Sequence, residues 1–199
     1  MAEPPTGTRE DSIRLFAIAL GGTALLGVIA YGLSILFGTP LAPQFKLTLR
    51  DALIGAGAAI PMIALLYVFM KTEHPQIAAF RESQIEFFAN IGFEFTPVRI
   101  LLMSLFAGVF EELLFRGVLQ SGIDKIAPVA VAIIASNILF GVLHWRTALY
   151  ALIAGVIGAW LGLIFWLTGN LLAPMIAHGF YDLVALAVTA RAIRAARAN

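Results

Sequence analysis

The side chains of this chain best suited to chemistry fall in three short groups: Glu111-Glu112-x-x-x-Arg116, Asn137-x-x-Phe140-x-x-x-His144 and His178-x-x-x-Asp182. Carboxylates and imidazoles are the groups that move protons to and from water near neutral pH. Residues four apart share a helix face, so Arg116 lies over Glu112 and pairs with it, and His178 lies over Asp182. Neighbouring residues point about 100° apart around a helix. Glu111 therefore faces away from Arg116 and is free to work on a water, while Glu112 serves as scaffold. Asn137 lies seven residues before His144, on roughly the same face. The third histidine, His74, stands among polar residues and reads as solvated.

Each group has a plainer reading. A single histidine in an apolar helix is more often a hydrogen-bonded packing residue than a ligand, and a Glu–Arg pair can be an internal strut. The conjunction decides: two glutamates, an arginine, two histidines and an aspartate on three segments favour a site over unrelated struts.

The elements that must position these residues are transmembrane helices. The 199 residues are 60% hydrophobic and 13% charged, far from the charge content of a soluble domain. A bilayer core needs roughly 20 apolar residues per crossing, and about six such runs are present, at 13–37, 52–70, 98–120, 128–144, 148–168 and 171–190. The fold class predicted is an all-α, polytopic membrane helix bundle forming a single domain over 13–190, its catalytic core over 98–190. A flexible tail over 1–12 precedes it and a basic tail over 191–199 follows. The first run exceeds a signal-peptide core and reads as a retained span. Residues 71–97 mix charges with Ile77, Phe80, Ile85, Phe87, Phe88 and Ile91, which suits an interfacial amphipathic helix or a plain connection. Pro61 predicts a kink in the second span. Gly155, Gly158 and Gly162 signal close helix packing in the fifth. An ionisable group near the bilayer centre costs at least ~2.5–3.5 kcal/mol, so the three groups call for partners and a reason.

Lys and Arg outside the spans set the orientation. Arg9, Arg14, Lys71, Arg81, Arg99, Arg146, Arg191, Arg194 and Arg197 fall on one side, and Lys46, Arg50 and Lys125 on the other. The positive-inside rule puts both termini in the cytoplasm. No basic stripe interleaved with aromatics exists to bind nucleic acid. With no cysteine, disulfides and thiolate metal sites are excluded.

The three groups, in this order and in apolar helices, resemble the CAAX-protease and bacteriocin-processing (CPBP, or Abi) family of intramembrane proteases. The resemblance spans Glu111 to Asp182 and implies peptide-bond hydrolysis at or in the membrane without a covalent acyl-enzyme. Carried over, it makes Glu111 the general base, assisted by His144. It gives His178 and Asp182 the oxyanion, and Glu112 and Arg116 the support. The family has also been described as zinc-dependent, with Glu111, His144 and His178 as a ligand set with an open position. The metal-free form, without cofactor, is favoured, since Glu111 as a ligand is less available as a base. Eukaryotic prenyl-protein members carry Asn where this chain has Asp182. Asparagine always donates a hydrogen bond and aspartate only when protonated, so Asp182 is either neutral or orients His178.

The partners so implied are the lipid bilayer and a peptide or membrane-protein substrate, in a bacterial inner membrane. A non-catalytic immunity or interaction protein is the second reading. A proton-coupled transporter is the third, disfavoured by small size and the lack of an inverted repeat. One expectation strains the geometry. At about 1.5 Å per residue, Glu111 and His178 fall at similar depth in a core of about 30 Å, but straight spans leave His144 at the cytoplasmic end of the fourth. A tilted, offset or partly unwound segment is required, or span ends other than these.

Overall fold

The computed structural model describes residues 8–198. Among these the protein is an all-α membrane bundle of seven helices: α1 (Arg9–Leu36), α2 (Leu49–Lys71), α3 (Pro75–Ala89), α4 (Pro97–Glu112, continuing through a π-helical stretch, Leu113–Gln120, and a last turn, Ser121–Asp124), α5 (Val129–Leu143), α6 (Ala148–Thr168) and α7 (Leu172–Ala198). Helices α1, α2, α6 and α7 are long and apolar enough to cross a membrane, and α5 is a shorter apolar helix. Helix α4 reaches spanning length only with its π-helical continuation. About six spans were expected; four helices meet that criterion outright.

Local chemistry sets the ends. Thr8 closes a capping box with Asp11, its hydroxyl accepting from the Asp11 N–H while the Asp11 carboxylate accepts from the Thr8 N–H. Helix α1 therefore starts at Arg9, four residues inside the expected tail over 1–12. The rest of that tail, residues 1–7, lies outside the described residues. Thr48, Thr96 and Thr147 cap α2, α4 and α6, each hydroxyl accepting from the N–H three residues on. Gly169, at φ 62°, ends α6 in the left-handed conformation that glycine adopts without steric cost. The basic tail expected from residue 191 is instead the continuation of α7 to Ala198. Helix α2 runs on through Pro61 as one helix.

The apolar side chains of the bundle are turned outward. Val28, Ile35, Leu53, Ile60, Leu152 and Val156 are exposed, while Glu112 and Arg116 are fully buried, the arrangement a lipid solvent selects. Helix α7 packs along α2 and α4, α5 pairs with α6, and α1 lies on α4 and its π-helical stretch. Small residues let these backbones approach. A Cβ on Gly108 would meet the backbone of Gly179 at 2.8 Å, so this contact between α4 and α7 depends on Gly108 being bare. It brings the acidic pair of α4 against His178 of α7.

The placement of His144 follows from helix length. Helix α5 has 15 residues, about 22 Å, so it starts at the far end of the bundle and stops within it. Helix α4 runs four residues past the predicted boundary at 120. Measured from the turn joining the two, Glu111 lies 13 residues before Asp124 and His144 lies 15 after Val129, which is about 20 and 22 Å along antiparallel axes. The expectation that His144 sits at the end of a full-length span is corrected: it caps a short one, level with Glu111.

Candidate active site

Arg116 organises the buried side of the site. Its Nη1 donates to Glu112 Oε1 at 2.9 Å, and its Nη2 donates to Asn137 Oδ1 at 2.8 Å and to the Gly158 carbonyl at 2.5 Å. The guanidinium carbon lies 5.2 Å from the centre of the Phe140 ring, within reach of a cation–π contact. Three helices, α4, α5 and α6, thus meet on one cation with no exposure to solvent. The π-helical stretch that carries Arg116 is held from outside: Gln44 donates to the Gly117 carbonyl at 3.0 Å, and Ser121 to that of Arg116 at 2.9 Å. π-Helical segments within α-helices often mark functional regions.

Gly158, expected as a packing residue, has this second duty. Any Cβ there would run into Asn137 Oδ1 and come within 3.1 Å of Arg116 Nη2. Asn137 completes the frame by donating Nδ2 to the Ile133 carbonyl at 2.7 Å. It shares a helix face with His144, as its spacing predicts, but bonds to Arg116 instead.

Glu112 also reaches across to α7. Its Oε1 accepts from His178 Nδ1 at 2.8 Å, while His178 Nε2 lies 3.5 Å from Asp182 Oδ2. The histidine is thus set between two carboxylates, and Glu112 orients it besides pairing with Arg116. No sequence spacing could indicate this bond, since it joins residues 66 apart.

Glu111, one residue earlier, is placed differently. Its Oε2 is buried without a hydrogen-bond partner and lies 3.9 Å from His144 Nε2. His144 donates Nδ1–H to the Phe140 carbonyl at 2.8 Å and stacks on the Phe140 ring, centroids 4.3 Å apart. In the neutral ring that bond leaves Nε2 as an acceptor turned toward Glu111. Phe140 therefore sets the histidine's tautomer and orientation while its other neighbours, Phe115 at 4.7 Å and Arg116, fix the phenyl ring.

Glu111, His144, His178 and Asp182 all line one cavity of about 350 Å³. Its other walls are apolar and aromatic, among them Leu65, Leu66, Phe69, Phe80, Ile85 and Phe88, with Tyr150 and Tyr181 beside the polar residues. Sequence reasoning missed Tyr150, Tyr181, Arg81 and Gln84. The tyrosines stand in apolar runs as ordinary core residues would, and the other two belong to α3.

Helix α3 turns Phe80, Arg81, Gln84, Ile85 and Phe88 onto the cavity, with Gln76, Glu82, Ser83 and Glu86 outward. It forms one wall of the cavity.

As arranged, the residues do not form a zinc ligand set. Both ring nitrogens of His178 face carboxylates of its own frame, and among the described residues no three His, Asp or Glu side chains converge as metal ligands.

Comparison with known proteins agrees with the motifs. Residues 93–184, just under half of the chain, match the family described as Rce1-like, type II CAAX prenyl endopeptidase. The uncharacterized protein YpbD of Bacillus subtilis (strain 168) is 35% identical over 88 residues, covering 43% of this chain and 42% of YpbD, so the chain spans less than half the length of that relative. No solved structure matches. The CPBP resemblance read from the three groups is thus borne out: the matched segment contains all of them and runs from the start of α4 into α7. Helices α1 to α3 lie outside it.

Proposed function

We propose that the protein is an intramembrane endopeptidase in which Glu111 and His144 activate a water against a peptide bond. The observation that carries this reading is the pair itself: a buried, unpartnered carboxylate oxygen and an imidazole Nε2 facing each other at 3.9 Å on the wall of a cavity. That separation is too long for a direct hydrogen bond and short enough for one water to bridge. Both groups are acceptors when Glu111 is ionised and His144 neutral, so a water there donates one O–H to each.

As its oxygen bonds to the substrate carbonyl carbon, the water passes a proton to Glu111. The carbonyl becomes an oxyanion, which takes a hydrogen bond from the proton lying between His178 Nε2 and Asp182 Oδ2. When the C–N bond breaks, the proton held by Glu111 goes to the leaving amine. No covalent acyl-enzyme is formed. Glu112, Arg116, Asn137 and Phe140 hold His178 and His144 in place. No step is routed through a metal.

The walls suit a peptide segment rich in apolar side chains, within a membrane peptide or protein. The cavity is lined by the N-terminal half of α1, the C-terminal end of α2, the start of α6 and the C-terminal half of α7. That is the side carrying the larger group of Lys and Arg, hence the cytoplasmic side of a multi-pass protein of the bacterial inner membrane with both termini inside.

The test is to reconstitute the purified protein in liposomes with membrane peptides, with and without a chelator, and to sequence the fragments. Cleavage by the wild type in both conditions, absent from E111Q, is expected. Cleavage lost only with chelator would replace the glutamate mechanism by a metal one. An uncleaved peptide that still binds would favour the interaction-protein reading.

A further inference from the structure

The faces that this protein turns to lipid differ in height. Along α1 the exposed apolar side chains run from Ile13 to Phe37, about 36 Å at 1.5 Å per residue, more than a bilayer core of about 30 Å. Helix α6 has 21 residues and α2 has 23, each enough to cross that core. Helix α5 is not. Its outward side chains, among them Val131, Ile134, Ile138 and Leu143, are exposed and apolar, yet its 15 residues rise only about 22 Å.

Both ends of α5 are marked by groups that belong outside hydrocarbon. Before it, Asp124 and Lys125 are exposed, and Lys125 Nζ donates to the Phe37 carbonyl at 3.0 Å, which ties that charge to the end of α1. After it stands Trp145, 64% exposed, of a residue type that collects at the headgroup level. The link that follows is stacked on α3: the guanidinium carbon of Arg146 lies 3.9 Å from the centre of the Phe87 ring. Next to Phe87, Glu86 is exposed, as is Glu82 one turn earlier, and exposed carboxylates are costly in hydrocarbon. The polar layer is thereby held close to both ends of a short apolar belt.

The usual accommodations of a short helix are closed to α5. Tilting would lower its height further, and sliding along its axis would break the hydrogen bond from Arg116 to Asn137 at 2.8 Å. What remains is for the lipid to adapt.

We propose that the bilayer thins against the outer face of α5, by the difference of about 8 Å between its belt and an ordinary core, and that this brings the headgroup layer and its water to the level of His144 and Glu111. His144 caps this helix and its side chain is partly exposed. The hydrolytic water then reaches the pair without crossing a full leaflet of hydrocarbon. The partner that fits this face is lipid with short acyl chains, and the reaction slows where long chains raise the belt. That consequence rests on the proposed hydrolysis; the thinning does not.

The chain has no cysteine, so a nitroxide at Val131→Cys or Leu143→Cys, near opposite ends of α5, reports its own depth from collisions with oxygen and with a water-soluble nickel complex. The two positions are 12 residues apart, about 18 Å along the helix. In dioleoyl phosphatidylcholine vesicles an undisturbed core makes the two depths sum to about 12 Å, and a belt of about 22 Å makes them sum to about 4 Å. The smaller sum is expected, with Leu25→Cys on α1 reading deep as the control; the larger sum would overturn the thinning. So would labels shielded from both collision partners, the result of a second copy of the chain packed on α5.

The second arm is turnover in vesicles of dimyristoleoyl, dioleoyl and dierucoyl phosphatidylcholine, in order of increasing thickness. Cleavage is expected to slow at least roughly threefold from the thinnest to the thickest; an unchanged rate would overturn the link between the thinned belt and the site. If E111Q cleaves as the wild type does, the hydrolytic reading fails while the two depths keep their meaning, so the two failures are distinguishable.

Discussion

Glu111 and Glu112 are consecutive residues of α4 and meet opposite conditions. Glu112 is turned into the bundle with no exposure, its Oε1 shared between Arg116 at 2.9 Å and His178 at 2.8 Å. Glu111 is turned into the cavity, with no donor on its Oε2 and His144 3.9 Å away. Both glutamates leave Oε2 without a partner, but only Glu111 lines the cavity. A carboxylate gripped by a guanidinium and an imidazole is spent on structure, and one on the cavity wall keeps its basicity for a reactant. The 100° turn between adjacent helical residues thus separates scaffold from reagent, and the cation that fixes the scaffold also draws α4, α5 and α6 together.

That contrast can be broken at either end. The largest effect belongs to the scaffold: Arg116→Ala leaves Glu112 buried without its cation, at a cost of about 3–5 kcal/mol. Thermal unfolding in detergent should show a much lower Tm or no folded protein; an unchanged Tm would mean the network is not structural.

His144→Ala removes a group that faces Glu111 but is not in the ion-pair frame. A fall in turnover of roughly 10²–10⁴ is expected for loss of an acid–base partner, with Tm close to that of the wild type. Kinetics and unfolding on one preparation would separate the two.

Gly158→Ala comes next. The added methyl meets Asn137 Oδ1 and Arg116 Nη2, an overpacking cost of about 1–3 kcal/mol. Its Tm should fall, whereas Gly57→Ala, where nothing lies within 4 Å of the added carbon, should not lower it.

The smallest effect is expected for Asp182→Asn. Its side chain keeps a donor beside His178 Nε2, so turnover should stay within about tenfold of the wild type, while Asp182→Ala should lose more. Equal loss in both variants would assign Asp182 a role that needs its charge.

How much of this was legible in the sequence depended on the range of the contact. The Glu112–Arg116 pair and the His178–Asp182 stack lie within one helix, and the spacing of four that brings them together is visible in the residues themselves. The apolar runs were visible too, since burial in lipid leaves few alternatives. The bond from Glu112 to His178 was not, because nothing in either segment records which faces of α4 and α7 meet; Gly108 and Gly179 do so only once the packing is known. The depth of His144 was hidden for another reason. It depends on α4 running to Asp124 through a π-helical stretch and on α5 stopping at 15 residues, and hydrophobicity marks neither end. The place of α3 as a cavity wall was ambiguous because an apolar face made for a cavity and one made for a membrane surface use the same residues.

The division between the two glutamates is tested most directly by measuring Tm and peptide cleavage side by side for E111Q and E112Q in the same liposomes. The account predicts that E111Q unfolds at the wild-type temperature and releases no fragment, while E112Q loses stability along with activity. Retained cleavage by E111Q, or the same loss of Tm in both variants, would contradict it.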